Sequence, residues 1–510
     1  MEALNFNANN YTPYEAPEEV ELGAIDTSRN WSQYQRNIFD WVRNAQGNAI
    51  VEAVAGSGKS TTAVEAIKHA QNDNVIFLAF NKSIAAELKA RGVNARTFHS
   101  LTFGATLRFA GVKDVDMNKL SRLMKANFDM RVNMMYSKFA MTLVGLAKQM
   151  GIGCLRPNTF DSWNAICNHH DMDPDHEEAT REEGIEVAQE LLACSINDKA
   201  VDFDDMLYYP VLHRFSLPKW SLVIVDEAQD TNPIQRALIK MIIKPHGQGR
   251  LMAIGDPAQS IYGFRGADSN AMSQLAQEFN CVTLPLSVTY RCPTSVVEVA
   301  RGWVSHILPA PDAPEGHVEH LGHKWSVDTF RPYDLVVCRR TAPLMMLAFR
   351  MLRARVRFNV MGRDIGKGLK SIIRKMNTTD IRELEAKLER FREREVEKCI
   401  AKEDPERQQA IEDKVYAILT LTDSLETGST TNELYSAIDD IFEDRQDMPG
   451  VVTLTTIHKA KGLEADRVFW LDRDNCPSPW AKQEWQKQQE INLCYVAATR
   501  AKSELYYLSL

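Results

Sequence analysis

The stretch Ala53-Val-Ala-Gly-Ser-Gly-Lys-Ser60 leaves the chain few options. A short apolar, β-branched run, Ala49-Ile-Val-Glu-Ala-Val54, precedes it, and Thr61-Thr-Ala-Val-Glu-Ala-Ile-Lys-His-Ala70, with helical spacing and helix-forming residues, follows. The order is strand, glycine turn, helix. In such a turn Gly56 and Gly58 let backbone N–H groups face inward, and the positive end of the following helix points at the same place. This geometry suits a phosphate chain: Ala55, Gly56, Ser57, Gly58 and Thr61 line it, Lys59 meets the β- and γ-phosphates, and the Ser60 hydroxyl can ligate Mg²⁺. The motif usually opens with a glycine five residues before its second one. Ala53 stands there instead.

At 510 residues, 44% hydrophobic and 25% charged, the composition is ordinary for a globular chain of several domains. No apolar run is long enough for a membrane span, and the first ten residues lack a basic segment followed by an apolar one. The expectation is an intracellular, soluble protein, cytoplasmic or, in a eukaryote, nuclear. Nine scattered cysteines with no C-x-x-C pair fit reduced thiols. Cys167-Asn-His-His170 and His317-Val-Glu-His-Leu-Gly-His323 read as surface or loop histidines, because neither has a second ligand pair at a familiar spacing. A net charge of -8 neither advertises a nucleic-acid binder nor excludes one, since a cleft can be locally basic.

Residues 1–30, rich in Asn, Glu and Pro, read as a loosely held arm. Order begins near Trp31, where Ser32 can cap a helix with Gln35 just inside its start; the Gln35 amide can both donate to and accept from an adenine edge. A strand, Asn74–Phe80, then Asn81-Lys82, a helix over Ser83–Arg91, and Ala95-Arg-Thr-Phe-His99 follow the phosphate loop. Alternation of this kind predicts an α/β fold with a parallel sheet and helices on both faces. Asn81, Lys82, Thr97 and His99 would project where such sheets bind ligands, outside the carboxyl ends of the strands. Residues 105–194 are Met- and Leu-rich with helical character, which predicts a helical insertion.

The sheet resumes with Trp220–Val225 and ends in Asp226-Glu-Ala-Gln-Asp230. Clustered carboxylates at a strand end repel unless a cation or proton is shared among them. Mg²⁺ held by Ser60 and Asp226, with Glu227 taking a proton from attacking water, is the chemistry this pattern suggests. A further strand, Arg250–Ile254, leads into Gly255-Asp-Pro-Ala-Gln-Ser-Ile-Tyr-Gly-Phe-Arg-Gly-Ala267. There the polar Gln259 and Arg265 can sense a nucleotide, while the aromatic Tyr262 and Phe264 can stack on a base.

Taken together, these residues resemble the UvrD/Rep-like branch of superfamily 1 DNA helicases, and the remaining motifs follow in the family's order. Tyr290-Arg291 is similar to motif IV, where by resemblance the tyrosine stacks on adenine and the arginine reaches the γ-phosphate. Val452–Glu464 is similar to motif V, with Thr456 and His458 facing DNA and Glu464 the ribose. Glu490–Ala501 is similar to motif VI, with Arg500 as arginine finger. The same resemblance makes Gln35 the adenine reader and Phe80, Asn81, Lys82, Thr97 and His99 DNA contacts.

The resemblance implies two RecA-like P-loop NTPase domains, each with a mainly helical insertion. Their expected limits are 31–104 plus 195–285 and 286–363 plus 451–510, with insertions at 105–194 and 364–450. It implies ATP and Mg²⁺ as ligands, with Lys59, Asp226, Glu227, Gln259, Arg291 and Arg500 carrying catalysis. It also implies a motor moving 3′ to 5′ on single-stranded DNA and unwinding tailed duplexes, with replication, repair or recombination proteins as possible partners.

Ser60 replaces the commoner threonine, Cys292-Pro293 follows where serine is usual, and Phe264 stands where tryptophan is frequent. The second insertion is short, and Ile381, Leu384, Leu388 and Phe391 form an apolar stripe within dense Glu, Arg and Lys. With nine residues after Ala501, the expectation is a chain without a fused nuclease domain. A translocase that strips proteins from single strands without productive unwinding shares every motif. A nucleotide-switched scaffold and a motor on RNA are the more distant readings.

Overall fold

The computed structural model describes residues 12–13, 29–176, 178–263, 270–361, 363–401, 405–423, 425, 428–442, 450–479 and 481–510. The chain divides into two compact units, a first that runs up to Ser287 and a second of Val288–Leu510, with which Val54–Ser57 of the phosphate loop are grouped.

The first unit begins with β1 (Thr12–Pro13), α1 (Gln33–Asn44), β2 (Asn48–Ala53), α2 (Lys59–Ile67), β3 (Val75–Leu78), α3 (Lys82–Ala90), β4 (Ala95–Arg96) and α4 (Phe98–Ala110). Helices α5 (Lys119–Asn127), α6 (Met130–Met150), α7 (Phe160–His170), α8 (Arg181–Asn197) and α9 (Asp205–Leu212) come next. The unit closes with β5 (Leu222–Val225), α10 (Pro233–Ile242), β6 (Arg250–Gly255), α11 (Ala271–Phe279) and β7 (Cys281–Leu286). Its seven strands run in the order β1-β7-β2-β6-β5-β3-β4, with parallel pairing throughout. Strands buried on both faces need continuous apolar runs, and β3 and β5 are buried at every residue.

Thr12–Pro13 pairs in parallel with Val282–Thr283 at the sheet edge, so this part of the N-terminal segment has a fixed place; the rest of residues 1–28 lies outside the described residues. The limits read at 105 and 194 fall inside α4 and α8. The physical reason is a shared core: Leu101 and Leu107 of α4, Leu143 of α6, Trp163 of α7 and Leu191 of α8 pack in one cluster with Ile50 and Ile76 of the sheet. The helical region grows from the sheet's core and has no separate one at that junction.

The second unit opens with the paired short strands β8 (Val288–Thr289) and β9 (Leu308–Pro309), separated by α12 (Thr294–Ala300). There follow β10 (His317–Gly322), β11 (Leu335–Cys338), α13 (Thr341–Arg353), β12 (Phe358–Val360), α14 (Arg363–Met376), α15 (Ile381–Ala401), α16 (Pro405–Asp423) and α17 (Thr431–Phe442). The unit ends with β13 (Val452–Thr456), α18 (Ile457–Ala460), β14 (Ala465–Leu471), α19 (Glu484–Ala498) and β15 (Ala501–Leu508). Six parallel strands take the order β10-β15-β14-β11-β13-β12.

Leu384 and Leu388 of α15 are fully buried, with Ile381 and Phe391 beside them, in a core that also holds Val336 of β11, Leu344 of α13 and Leu454 of β13. The apolar stripe is therefore core, and its charged neighbours face outward. Helices α14 to α17 all contribute buried side chains to that core.

Candidate functional site

The loop from β2 to α2 turns as its sequence requires. Gly56 and Gly58 have φ of +72° and +77°, the left-handed region that costs a residue with a Cβ about 1 kcal/mol or more. Gly58 is the N-cap of α2, so Lys59, Ser60 and Thr61 form its first turn, where backbone N–H groups have no helical partner. Ala55 and Ser57 are buried, and among the described residues the Ser57 hydroxyl has no hydrogen-bond partner. Gln35 lies against this loop: a Cβ on Gly58 would stand 3.8 Å from its amide nitrogen.

Gln35 is also used within the protein. Its Oε1 accepts from Ser32 N at 3.0 Å, completing the capping box of α1, and its Nε2 donates to Thr62 Oγ1 at 2.9 Å. The capping signal was legible in the Ser32 to Gln35 spacing. The partnership with Thr62, a residue the sequence reading passed over, is tertiary.

At the end of β5 the acidic residues gather around Lys59. Its Nζ lies 3.0 Å from Glu227 Oε1. Burial alone would discharge this lysine, but Glu227, Asp256 and Asp226 outweigh that effect and hold its proton affinity above the usual lysine value. Glu227 has φ of +49°, a left-handed conformation that costs a non-glycine residue roughly 1–2 kcal/mol and is held by the surrounding fold. Gln229 Nε2 donates to Glu227 Oε2 at 2.5 Å, and Glu227 N donates to Asp226 Oδ1 at 3.0 Å.

Asp256, at the end of β6, was quoted in the sequence but given no role. It is buried, and burial raises its pKa against the pull of Lys59 and Gln259. Gln259 Nε2 donates to its Oδ2 at 2.6 Å, and Asp256 N donates to Gln229 Oε1 at 3.0 Å. A chain of amides and carboxylates thus joins Lys59 to the loop after β6. Asp226 and Glu227 were marked by carboxylates clustered at a strand end, whereas Asp256 stands alone past β6, and its place beside Lys59 is tertiary.

The donor set fits a hard cation: Ser60 supplies a hydroxyl and Asp226 a carboxylate oxygen. Among the described residues no group of three or more His, Cys, Asp or Glu side chains is arranged to hold a metal.

Beside this cluster lies an aromatic face. Leu78 of β3 pairs with Val225 of β5, so Phe80 and Glu227 each stand two residues beyond neighbouring positions in the sheet. Phe80 is 47% exposed, and its ring lies nearly parallel to Tyr262, with centroids 6.3 Å apart. His99 stacks on Phe203 at 3.8 Å; Phe203, at 45% exposure, escaped the sequence reading because it stands in a turn between α8 and α9, far along the chain from Phe80 and Tyr262. Burial, with a smaller contribution from Lys82, lowers the His99 pKa to about 4. Asn81 and Thr97 cap α3 and α4 through their side-chain oxygens, so both are tied to helix starts. Phe264 and Arg265 lie outside the described residues.

On the second unit, Arg291 Nε lies 2.8 Å from Glu464 Oε2, and Lys502 Nζ lies 2.8 Å from Glu464 Oε1. Burial opposes it, yet Lys502 and Arg291 together hold Glu464 below the ordinary carboxylate range. Arg500 is buried and donates to the carbonyls of Val496 and Leu463 at 2.9 and 3.2 Å and to Thr499 Oγ1 at 3.2 Å. Tyr290 is 45% exposed. Thr456 and His458 lie together at the start of α18, both half-buried. The structure therefore gathers Arg291, Glu464 and Arg500 around Thr499, and adds Lys502, which sequence reasoning missed although it follows the motif by one residue.

Residues 33–280 match the UvrD/REP helicase N-terminal domain, and residues 165–510 match the UvrD-like helicase C-terminal domain. The chain is 23% identical to the F-box DNA helicase protein 1 of Schizosaccharomyces pombe, covering 97% of this chain and 58% of that protein. It is 27% identical to DNA helicase II of Haemophilus influenzae over 51% of this chain and 38% of that one. A probable DNA helicase II homolog of Mycoplasma pneumoniae is 23% identical over 91% of this chain and 82% of its own length. The chain thus spans well under two thirds of the first two relatives. With both family domains matched and the phosphate-loop lysine set among the strand-end carboxylates, the chain belongs to the UvrD/Rep family of superfamily 1 helicases.

Proposed function

We propose that this protein is an ATP-dependent motor that moves 3′ to 5′ on single-stranded DNA and unwinds duplexes bearing a 3′ tail. The observation that supports the motor is the adjacency of two chemistries at neighbouring strand ends: Glu227, 3.0 Å from Lys59, and Phe80, exposed and parallel to the half-buried ring of Tyr262; the 3′ to 5′ direction rests on the family resemblance. A change at the phosphates is then one strand away from a surface that stacks bases.

Lys59, with the amides of Ala55 to Thr61, would hold the triphosphate. Ser60 and Asp226 would hold Mg²⁺, whose role is to neutralise phosphate charge. Glu227, oriented by Gln229 and by its left-handed backbone, would accept the proton of the attacking water. Gln259, bonded to Asp256, would report the nucleotide to the loop carrying Tyr262. Arg291 and Arg500 would counter the charge that develops during phosphoryl transfer, with Tyr290 on the adenine and Glu464 on the ribose. Phe80, Tyr262, His99 and Phe203, together with Lys82, Thr456 and His458, would face the strand. Stacking is indifferent to base identity, which suits a motor that must hold any sequence.

The test is ATP hydrolysis with and without single-stranded DNA, run beside unwinding of 3′- and 5′-tailed duplexes. DNA-stimulated hydrolysis with unwinding from the 3′ tail is expected. Unwinding from 5′ tails alone would refute the direction. Stimulation without unwinding would replace the helicase by the translocase that displaces bound proteins, a reading the short second insertion favours. No stimulation would overturn both.

A further inference from the structure

At the entry to α9 the turn Asp202-Phe203-Asp204-Asp205 is clasped by its own carboxylates. Asp202 N donates to Asp205 Oδ2 at 2.9 Å, and Asp205 N donates to Asp202 Oδ1 at 2.8 Å. Two lysines from the helical region close on the same two carboxylates. Lys119 Nζ of α5 lies 2.6 Å from Asp205 Oδ2 and 3.0 Å from the Tyr209 hydroxyl. Lys148 Nζ of α6 lies 2.6 Å from Asp202 Oδ2 and 2.7 Å from Asp205 Oδ1. The side chains of Lys119, Lys148 and Asp205 have no exposed surface.

Ion pairs this deeply buried are a poor route to stability, because desolvation offsets most of their attraction; apolar side chains of similar size would serve a simple helix staple as well. What the charges secure is geometry. Hydrogen bonds at both ends of a four-residue turn hold its backbone, and with it the direction in which the side chain at its tip leaves the chain. That side chain is Phe203, 45% exposed and stacked at 3.8 Å on His99 at the start of α4.

We propose that Lys119 and Lys148 are positioning residues for the DNA track: they lock the Asp202–Asp205 turn so that Phe203 and His99 present one rigid face to a base. The proposal rests on the reading that the exposed aromatics of the first unit line the path of single-stranded DNA. Its physical basis is preorganisation, since a face already ordered loses little freedom when a base stacks on it. The helical region then contributes to strand binding without touching the strand.

The experiment is fluorescence anisotropy of a labelled oligothymidylate with the full chain, without nucleotide. Phe203→Ala is expected to weaken binding roughly tenfold, the loss of one stacked base, and Lys148→Met by a similar factor. The double variant should be no weaker than either single one, whereas Lys148→Met combined with Tyr262→Ala should multiply the losses. The ring resonances of His99, shifted by the stacked Phe203, should move in Lys148→Met toward their positions in Phe203→Ala. If Lys148→Met does not fold, Asp202→Asn, which keeps an acceptor for Asp205 N but drops the charge facing Lys148, should show the same pattern.

Unchanged affinity in the lysine variant, or losses that multiply with Phe203→Ala, would overturn this inference while leaving the motor intact. A wild-type protein that does not bind the oligonucleotide would overturn both.

Discussion

Lys59 keeps its charge against burial because three carboxylates face it, and that balance sets what its removal does. Lys59→Ala should abolish ATP hydrolysis and leave single-strand binding largely intact, since the aromatic face lies on other residues. Hydrolysis at near wild-type rate would remove the phosphate-loop assignment. His99 carries the opposite case. Its folded-state pKa of about 4 lies below the ordinary value of 6.5, so the unfolded chain takes up the proton first. Its contribution to stability is complete above pH 6.5 and is lost as pH falls from there through about 4. The His99 ring resonance should therefore stay still between about pH 8 and 6, and His99→Gln should reduce the loss of stability on acidification below that window. A midpoint near 6.5 would contradict the buried, neutral stack. On the proposed track a neutral imidazole would stack without adding charge.

Elements fix these residues through packing that is separable from the chemistry. Helix α15 joins the second unit's core through Leu384 and Leu388, both fully buried. Leu388→Ala should cost about 2–5 kcal/mol of that unit's stability, seen as a lower denaturant midpoint with little change in ATP affinity. A loss under about 1 kcal/mol would return α15 to the surface. Helix α19 is anchored at its middle by Glu490, which accepts two bonds from Arg339 Nε at 2.9 Å, one from Nη2 at 2.6 Å and one from Ser478 N at 2.9 Å. Arg500 follows that helix by two residues, and its bonds to Val496, Leu463 and Thr499 fix the guanidinium. Arg500→Ala should lower turnover on the order of 10³-fold, as arginine fingers do. Because those bonds are also structural, the thermal midpoint must be measured alongside. A loss of tenfold or less in a folded variant would remove Arg500 from catalysis.

At the scale of the whole molecule, each unit carries its own share of the proposed chemistry: the first at the carboxyl ends of its strands, where open α/β sheets bind ligands, the second with Glu464 and Arg500 just before β14 and β15, at their amino ends. A motor built this way needs both units in one chain. Lys59→Ala and Arg500→Ala, on different units, should each leave a folded protein that binds single strands yet does not unwind. Mixed together as two inactive proteins, they should not complement one another if each molecule works with its own two units; recovered activity would mean that units are shared between molecules.

Much of this was written locally. The phosphate loop, the β-branched strands, the Ser32 and Asn81 caps and the acidic residues past β5 are set by spacing and residue type, because turn, cap and strand chemistry act over a few neighbours. The ordered motifs identified the family for the same reason. What the sequence left open was decided by distance along the chain. Nothing local says that Lys148 meets Asp202 or that Phe203 stacks on His99, and nothing local says that α4 and α8 run through the expected domain limits into the sheet's core. Those arrangements exist because folding buries one continuous apolar interior, and the buried charges and exposed rings must then find partners wherever that interior has brought them.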